Sequence, residues 1–314
     1  MHYTYSATSR KICSRVGNTA RVLIVCLTSL LAFATLAQET YDLVIQNGRV
    51  IDPETKLDAV RNVAVRGSVI AAISERPLSG KETVDATGLV VAPGFIELHW
   101  HGRDPESDVY QAMDGVTTWF ELEVGTDDVD AWYAKRAGNS LLNHGVAIGH
   151  MPVRMALYGD SGDFLPADKA IEARGDEAKL TEIKKRIERG LQQGAVAVGM
   201  GLAYTPGAPT WEPLEVFRVA AKHRAPVFVH IRGASSASGP LADREAGLLE
   251  VIADAAVSGA GLHVAHIQSS GQGSTARMLE MIADARRNGI DVTTECYPYT
   301  AGATRIESYL FASW

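Results

Sequence analysis

From Pro93 onward the chain alternates short apolar runs with longer amphipathic stretches, and this rhythm constrains its fold more than any other feature. Strands alternating with helical patterns read as βα units around a parallel sheet. The strand-like runs are Phe95–His101, Thr117–Val124, Val146–His150, Ala195–Gly199, Val227–His230, Leu262–His266 and Val292–Tyr297. Asp176–Gln193 and Gly247–Ser258 are among the helical stretches between them. The first meets a stop at Gly194, and its i, i+4 pair Glu182/Arg186 suits a solvated face. A closed (β/α)8 barrel needs an eighth strand and typically about 250 residues. Pro93 to Trp314 supplies less, and the chain stops at the apolar, uncapped Tyr309-Leu-Phe-Ala-Ser-Trp. An open barrel exposes a sheet edge. The expectation is a distorted α/β barrel with seven of its eight strands present and a C-terminus cut short.

Upstream, residues 41–92 carry short strands punctuated by Asn47-Gly48, Asp52-Pro53 and Gly67, which predict a small antiparallel β unit. Before it, Arg10, Lys11, Arg15 and Arg21 precede the apolar run Val22–Ala34 and the small residues ending at Ala37. That order predicts a secretory leader over 1–37, and an exported, periplasmic or secreted protein. The apolar run falls short of the ~20 residues that span a bilayer, so no stable membrane span is expected once the leader is gone. The domain expectation is therefore leader 1–37, β unit 38–92 and barrel 93–314. Net charge is −7, and losing the leader's cations makes the remainder more acidic still. Nucleic acid is a poor partner for such a chain, because phosphate binding needs clustered Lys and Arg. Cys296 alone remains after the leader, so no internal disulfide is available.

The chemistry-bearing residues gather at strand ends. In Phe95-Ile-Glu-Leu-His-Trp-His101, alternation puts Glu97, His99 and His101 on one side. Two imidazoles at i and i+2 near a barrel mouth can grip one divalent metal. His230 closes Pro226-Val-Phe-Val-His, and His266 closes Leu262-His-Val-Ala-His, which brings both to the same mouth. His263 has the opposite parity from His266 and is expected to face the helices. Glu121 and Glu123 share one face of the second strand, where a buried carboxylate is costly unless paired or metal-bound. Glu123 lies nearer the strand end and is the favoured metal ligand, with Glu121 in reserve.

Pro93-Gly-Phe-Ile-Glu-x-His-x-His, with His230 and His266, resembles the amidohydrolase superfamily. The likeness is greatest to its D-aminoacylase (N-acyl-D-amino-acid deacylase) branch. Gly149-His-Met-Pro-Val-Arg154, Gly201-Leu-Ala-Tyr-Thr-Pro-Gly207, His230-Ile-Arg232 and Asp291–Gly302 carry that likeness, over residues 41 to 314. The resemblance implies a TIM barrel beside a small β-sandwich formed partly by the N-terminal segment. It also implies one or two divalent metal ions, usually Zn2+, held by His99, His101, His230, His266 and a bridging ligand. In D-aminoacylases that bridge is a cysteine. Here Val124 stands nearest it with Glu123 beside, so the bridge becomes a carboxylate. Glu97 replaces the usual Asp before the His pair, and Gln268 replaces a substrate-holding Lys. Arg154 and Arg232 become the candidates for a substrate carboxylate, and Tyr204, Gln268, Tyr297 and Tyr299 for the pocket.

The expected activity is hydrolysis of amide C–N bonds in small N-acyl amino acids by metal-activated water. The family's proton-carrying Asp sits on the eighth strand. Asp291 and Glu295 do not match it, so this chain is expected to be weak or inactive alone. Cyclic amidohydrolases and dipeptidases of the same superfamily are the rival readings, with a non-catalytic metal-binding fragment as the rival from another class. The first usually bridge their metals with a carboxylated lysine, and the predicted strands after Pro93 carry no Lys. Homo-oligomerisation is left open by the sequence.

Overall fold

The computed structural model describes residues 40–102, 104–233, 244–306 and 308. The leader-like segment and the tail from Tyr309 lie outside the described residues, and among the described residues no helix is long and apolar enough to cross a membrane. Two compact units emerge, Met1–Pro93 and Gly94–Trp314.

The first unit is one sheet of five strands, β1 (Thr40–Asp52), β2 (Leu57–Arg66), β3 (Val69–Ser74), β4 (Ser79–Asp85) and β5 (Val90–Val91). It is mixed, not antiparallel. β2 runs antiparallel to β1 and β3 to β2, whereas β4 and β5 join β1 in parallel. The chain crosses from the β3 edge to the far side of β1, and because a crossover, unlike a hairpin, keeps the strand direction, β4 runs parallel to β1. Asn47-Gly48 is not a turn either. β1 passes through it with a bulge between Ile45 and Gly48, and Asn47 adopts φ 63°. Asn tolerates that left-handed conformation better than most residues. The Asn47 N–H donates to Asn62 Oδ1 at 3.1 Å. Tyr41, Val44 and Ala64 form the buried cluster.

The second unit is a curled sheet of seven parallel strands in sequential order. They are β6 (Phe95–Glu97), β7 (Val116–Thr126), β8 (Asn143–Gly149), β9 (Val198–Gly201), β10 (Val227–His230), β11 (Leu262–Val264) and β12 (Val292–Thr294). The connecting helices are α1 (Pro105–Met113), α2 (Val129–Arg136), α3 (His150–Tyr158), α4 (Lys169–Glu172), α5 (Glu177–Gln192), α6 (Trp211–His223), α7 (Arg244–Ser258), α8 (Ile267–Gly271) and α9 (Thr275–Arg287). This is the strand–helix rhythm of a TIM barrel. Three strands stop two or more residues before their expected ends, β6 at Glu97, β11 at Val264 and β12 at Thr294. The mouth residues beyond them are placed by loops, not by strand alternation.

The largest core lies between sheet and helices. Ile148, Val198, Val227, Val229, Leu262 and Val264 meet Ile183, Ile187, Phe217, Leu248, Val251 and Met278. Burying each such side chain is worth about 1.5–3 kcal/mol. α5 shows how the sequence achieves this. Asp176 caps it by accepting from Lys179 N at 2.8 Å, Leu180, Ile183 and Ile187 form one buried stripe, and Glu182 pairs with Arg186 at 3.0 Å near the surface. Gly190 continues the stripe because a Cβ there would lie 2.5 Å from Ile148 Cγ1.

β7 is the irregular strand. Glu121 pairs with Val146 and Thr126 with Ile148, so five residues of β7 advance against two of β8. The surplus forms an arch that drives the main chain of residues 122–124 towards its neighbours. Glycines make room for it: a Cβ on Gly149 would lie 2.0 Å from Val124 O, and one on Gly199 would lie 2.5 Å from Leu122 O and 2.6 Å from Glu123 O. Because those atoms are backbone, they cannot swing aside. Gly199→Ala should therefore destabilise the chain by ~1–3 kcal/mol in urea denaturation. Gly273→Ala, where a Cβ meets nothing within 4 Å, should change it by less than about 0.5 kcal/mol.

Candidate metal centre

The arch places one buried carboxylate, Glu123, among four imidazoles. Glu123 Oε2 lies 2.6 Å from His99 Nε2 and 3.2 Å from His101 Nε2. Glu123 Oε1 lies 2.5 Å from His230 Nδ1 and 3.6 Å from His266 Nε2. The two Nε2 atoms of His99 and His101 stand 3.1 Å apart. Ligand atoms of His99, Glu123 and His266 all fall within 4.8 Å of one another, the grouping a bound cation needs. A donor set of imidazole nitrogens and one carboxylate suits zinc among divalent ions.

His99 and His101 arrive from the loop after β6, where His99 keeps a single bridge to Glu121 and its N–H donates to Glu97 Oε1 at 2.8 Å. His230 ends β10. His266 precedes α8 at φ 32°, a left-handed conformation rare outside Gly, Asn and Asp. Its Nδ1 lies 3.2 Å from Ser270 Oγ one turn on.

Electrostatics tie the cluster together. Burial opposes charge on His99 and His101, yet the surrounding carboxylates win and raise them to about 11 and about 9. Burial likewise opposes ionisation of Glu123, but His99, His230 and His101 hold it well below the usual carboxylate range. His230, buried at the end of β10, is lowered by its burial. Glu123 is strongly held in its charged form, and protons or a metal ion must supply the balancing charge.

Two further residues belong to the mouth. Glu295, just past β12, contacts His99 Nδ1 and lies 3.4 Å from His263 Nε2. Burial works against its charge, but His263 and His99 pull it down to about 2. His263 faces Phe228 inside the sheet's curl, with ring centroids 4.4 Å apart, and its Nδ1 meets Thr293 Oγ1 at 2.8 Å. The expectation that it faces the helices is corrected. Counting parity back from His266 fails because His266 lies beyond the strand, while Leu262 and Val264 take the helix side. The sequence signal for Glu295 was its position two residues past Thr293, at a strand end.

The remaining expected residues divide. Tyr204 is buried edge-on against His230 at 5.0 Å, its hydroxyl pushed upward by burial and by Glu123. Tyr297 lies 6.3 Å from the His266 ring, and Gln268 Nε2 donates to Tyr297 O at 3.2 Å. Tyr299 stands exposed beside Tyr297. Arg154 is fully buried and bonded to Glu212 Oε1 at 2.5 Å and to the carbonyls of Ala170 and Ala173. Arg232 grips Glu250 at 2.9 Å and Ala208 O at 2.7 Å. Both guanidiniums are therefore committed to brace loops around the mouth. A cavity of about 560 Å3 opens beside Glu121, lined also by Trp132, Lys135, Arg136, Asp160 and Phe164.

The curled parallel sheet resembles that of amidohydrolase barrels, and comparison with known proteins points the same way. No family model matches the chain. It is 29% identical over 309 residues to N-acyl-D-glutamate deacylase of Alcaligenes xylosoxydans xylosoxydans, covering 85% of this chain and 59% of that one. It is 28% identical over 281 residues to dihydroorotase of Solibacter usitatus (strain Ellin6076), covering 83% and 60%. A crystal structure of N-acyl-D-glutamate deacylase from Bordetella bronchiseptica, complexed with zinc and a phosphonate inhibitor, superposes with TM-score 0.67 at 25% identity over 83% of this chain and 59% of that one. The chain thus resembles the amidohydrolase superfamily, in particular its D-aminoacylase branch. It spans about three-fifths of the length of the relatives it matches.

Near Arg232, Asp254 on α7 is 6% exposed. Burial, then the neighbouring Glu250, raises it to about 7 despite Arg232. A carboxyl that binds its proton more tightly when folded stabilises fully below its unfolded pKa of about 3.9, and this is lost as pH rises towards about 7. Asp254→Asn should therefore stabilise the chain at pH 8 by about 1 kcal/mol or more and change it little at pH 4, in paired urea titrations.

Proposed function

We propose that this chain forms the metal-binding part of a hydrolase of amide C–N bonds in small N-acyl amino acids, with Zn2+ at the mouth as one or two divalent ions. The observation that carries this reading is Glu123 held by His99, His101, His230 and His266. A divalent ion held there supplies Lewis acidity and an acidified water. Tyr297, Tyr204 and Gln268 border the cluster and would orient an acyl amide, and the cavity beside Glu121 suits a small molecule. Glu123, lowered by its imidazoles, acts as ligand rather than proton carrier. Glu121 and Glu295 are each engaged with a histidine, so these carboxylates alone leave the proton transfer to the leaving nitrogen unsupplied.

A cyclic amidohydrolase is the second reading, supported by the likeness to dihydroorotase. Against it, β6–β12 carry no Lys that could serve as a carboxylated bridge, and Glu123 fills that place. Export rests on the leader-like residues 1–37 and belongs to the proposal in the same way.

The test is to load residues 38–314 with zinc and offer N-acetyl amino acids of both hands, dihydroorotate, hydantoin and dipeptides. The proposal predicts near one or more zinc per chain, lost in His99→Ala/His101→Ala. It also predicts that any hydrolysis is slow and confined to the N-acetyl amino acids. Turnover of the cyclic amides instead would favour the second reading, and a folded chain that binds no zinc would defeat both.

A further inference from the structure

We infer that Glu121 and Glu295 are a pair of positioning residues that fix the ring orientation and proton placement of His101 and His99, so that both Nε2 atoms face one shared point. The inference rests on the reading that the cluster holds a divalent ion, and it assigns work to two carboxylates outside the ligand set.

The two histidines are treated alike by unrelated parts of the sheet. His101 Nδ1 meets Glu121 Oε2 at 2.7 Å, and His99 Nδ1 meets Glu295 Oε1. A carboxylate accepts only, so each Nδ1 must carry the proton and donate. That turns each Nε2 the other way, towards Glu123 Oε2 and towards the other ring, so that the proton Nε2 shares with Glu123 is the one a cation would displace. Without those partners either ring could flip or shift its proton to Nε2, and the ligand atom would be blocked.

Each carboxylate is itself held. Glu121 Oε1 accepts from Val124 N at 3.2 Å and Gly125 N at 3.4 Å, so the side chain that orients His101 also ties down the arch that carries Glu123. Glu295 lies 3.4 Å from His263 Nε2, and His263 is fixed in turn by Thr293. β6 and β12 are the two ends of the seven-strand order, so Glu295 reaches His99 across the curl of the sheet rather than along it. Strand alternation cannot produce that contact, and charge balance alone does not demand that both carboxylates meet Nδ1.

The experiment uses 15N-histidine-labelled chain without metal and chain titrated with zinc against a chelator. In the metal-free protein the two Nδ1–H protons should be downfield and slow to exchange. Glu295→Ala should remove the His99 signal alone, and Glu121→Ala the His101 signal alone. Each alanine variant should lower zinc affinity by roughly 10–100-fold, with Glu295→Gln, which keeps an oxygen acceptor, recovering most of the loss. Signals at Nε2–H in place of Nδ1–H, or unchanged zinc affinity in folded alanine variants, would overturn the inference. If an alanine variant does not fold, the wild-type spectrum and the glutamine variant decide. If wild-type binds no zinc, the functional reading fails, while the metal-free spectrum still tests proton placement.

Discussion

A single carboxylate, Glu123, buried among imidazoles, is the constraint around which the second unit is arranged. A buried charge is tolerated only when compensated on most sides. Here the compensation comes from three elements far apart in sequence: the loop after β6, the end of β10 and the residue before α8. The irregular backbone follows from the same need. A regular β7 would keep step with β8, whereas the arch between Glu121 and Thr126 turns Glu123 into the mouth, and Gly149 and Gly199 yield the space.

Stability and chemistry are thereby divided. The apolar layer between sheet and helices supplies cohesion, with Val227, Val229, Leu262 and Val264 clamped by Phe217, Leu248 and Met278. The mouth contributes charge held at a cost, with His99 and His101 raised and Glu123 and Glu295 lowered against their burial. Taking away one partner of such a set leaves the others uncompensated, so single substitutions there act through their neighbours.

The βα rhythm was legible because buried parallel strands are written as unbroken apolar runs, as in Pro226-Val-Phe-Val, and amphipathic helices as stripes, as in α5. The gathering of histidines was legible from their place at strand ends. Parity beyond a strand was not. Strand spacing ceases to apply after Glu97 and Val264, so counting back from His266 gives His263 the wrong face, whereas alternation within β11 turns it inward, opposite Leu262 and Val264. Nor does the sequence reveal that Arg154 spends its charge on Glu212, 58 residues away, since that pairing is fixed only when α3 and α6 pack. In the first unit, Asn47-Gly48 carries every local mark of a turn, and the bulge it forms instead is held by the Asn62 and Asp85 side chains, which are distant in sequence.

X-ray absorption at the zinc edge of the metal-loaded chain tests the central claim most directly. The account predicts a shell of nitrogen and oxygen at about 2.0–2.2 Å with the outer scattering of several imidazoles and no sulfur, and loss of an oxygen ligand in Glu123→Ala. Sulfur at about 2.3 Å, or a shell without imidazole scattering, would contradict a centre built on Glu123 and its histidines.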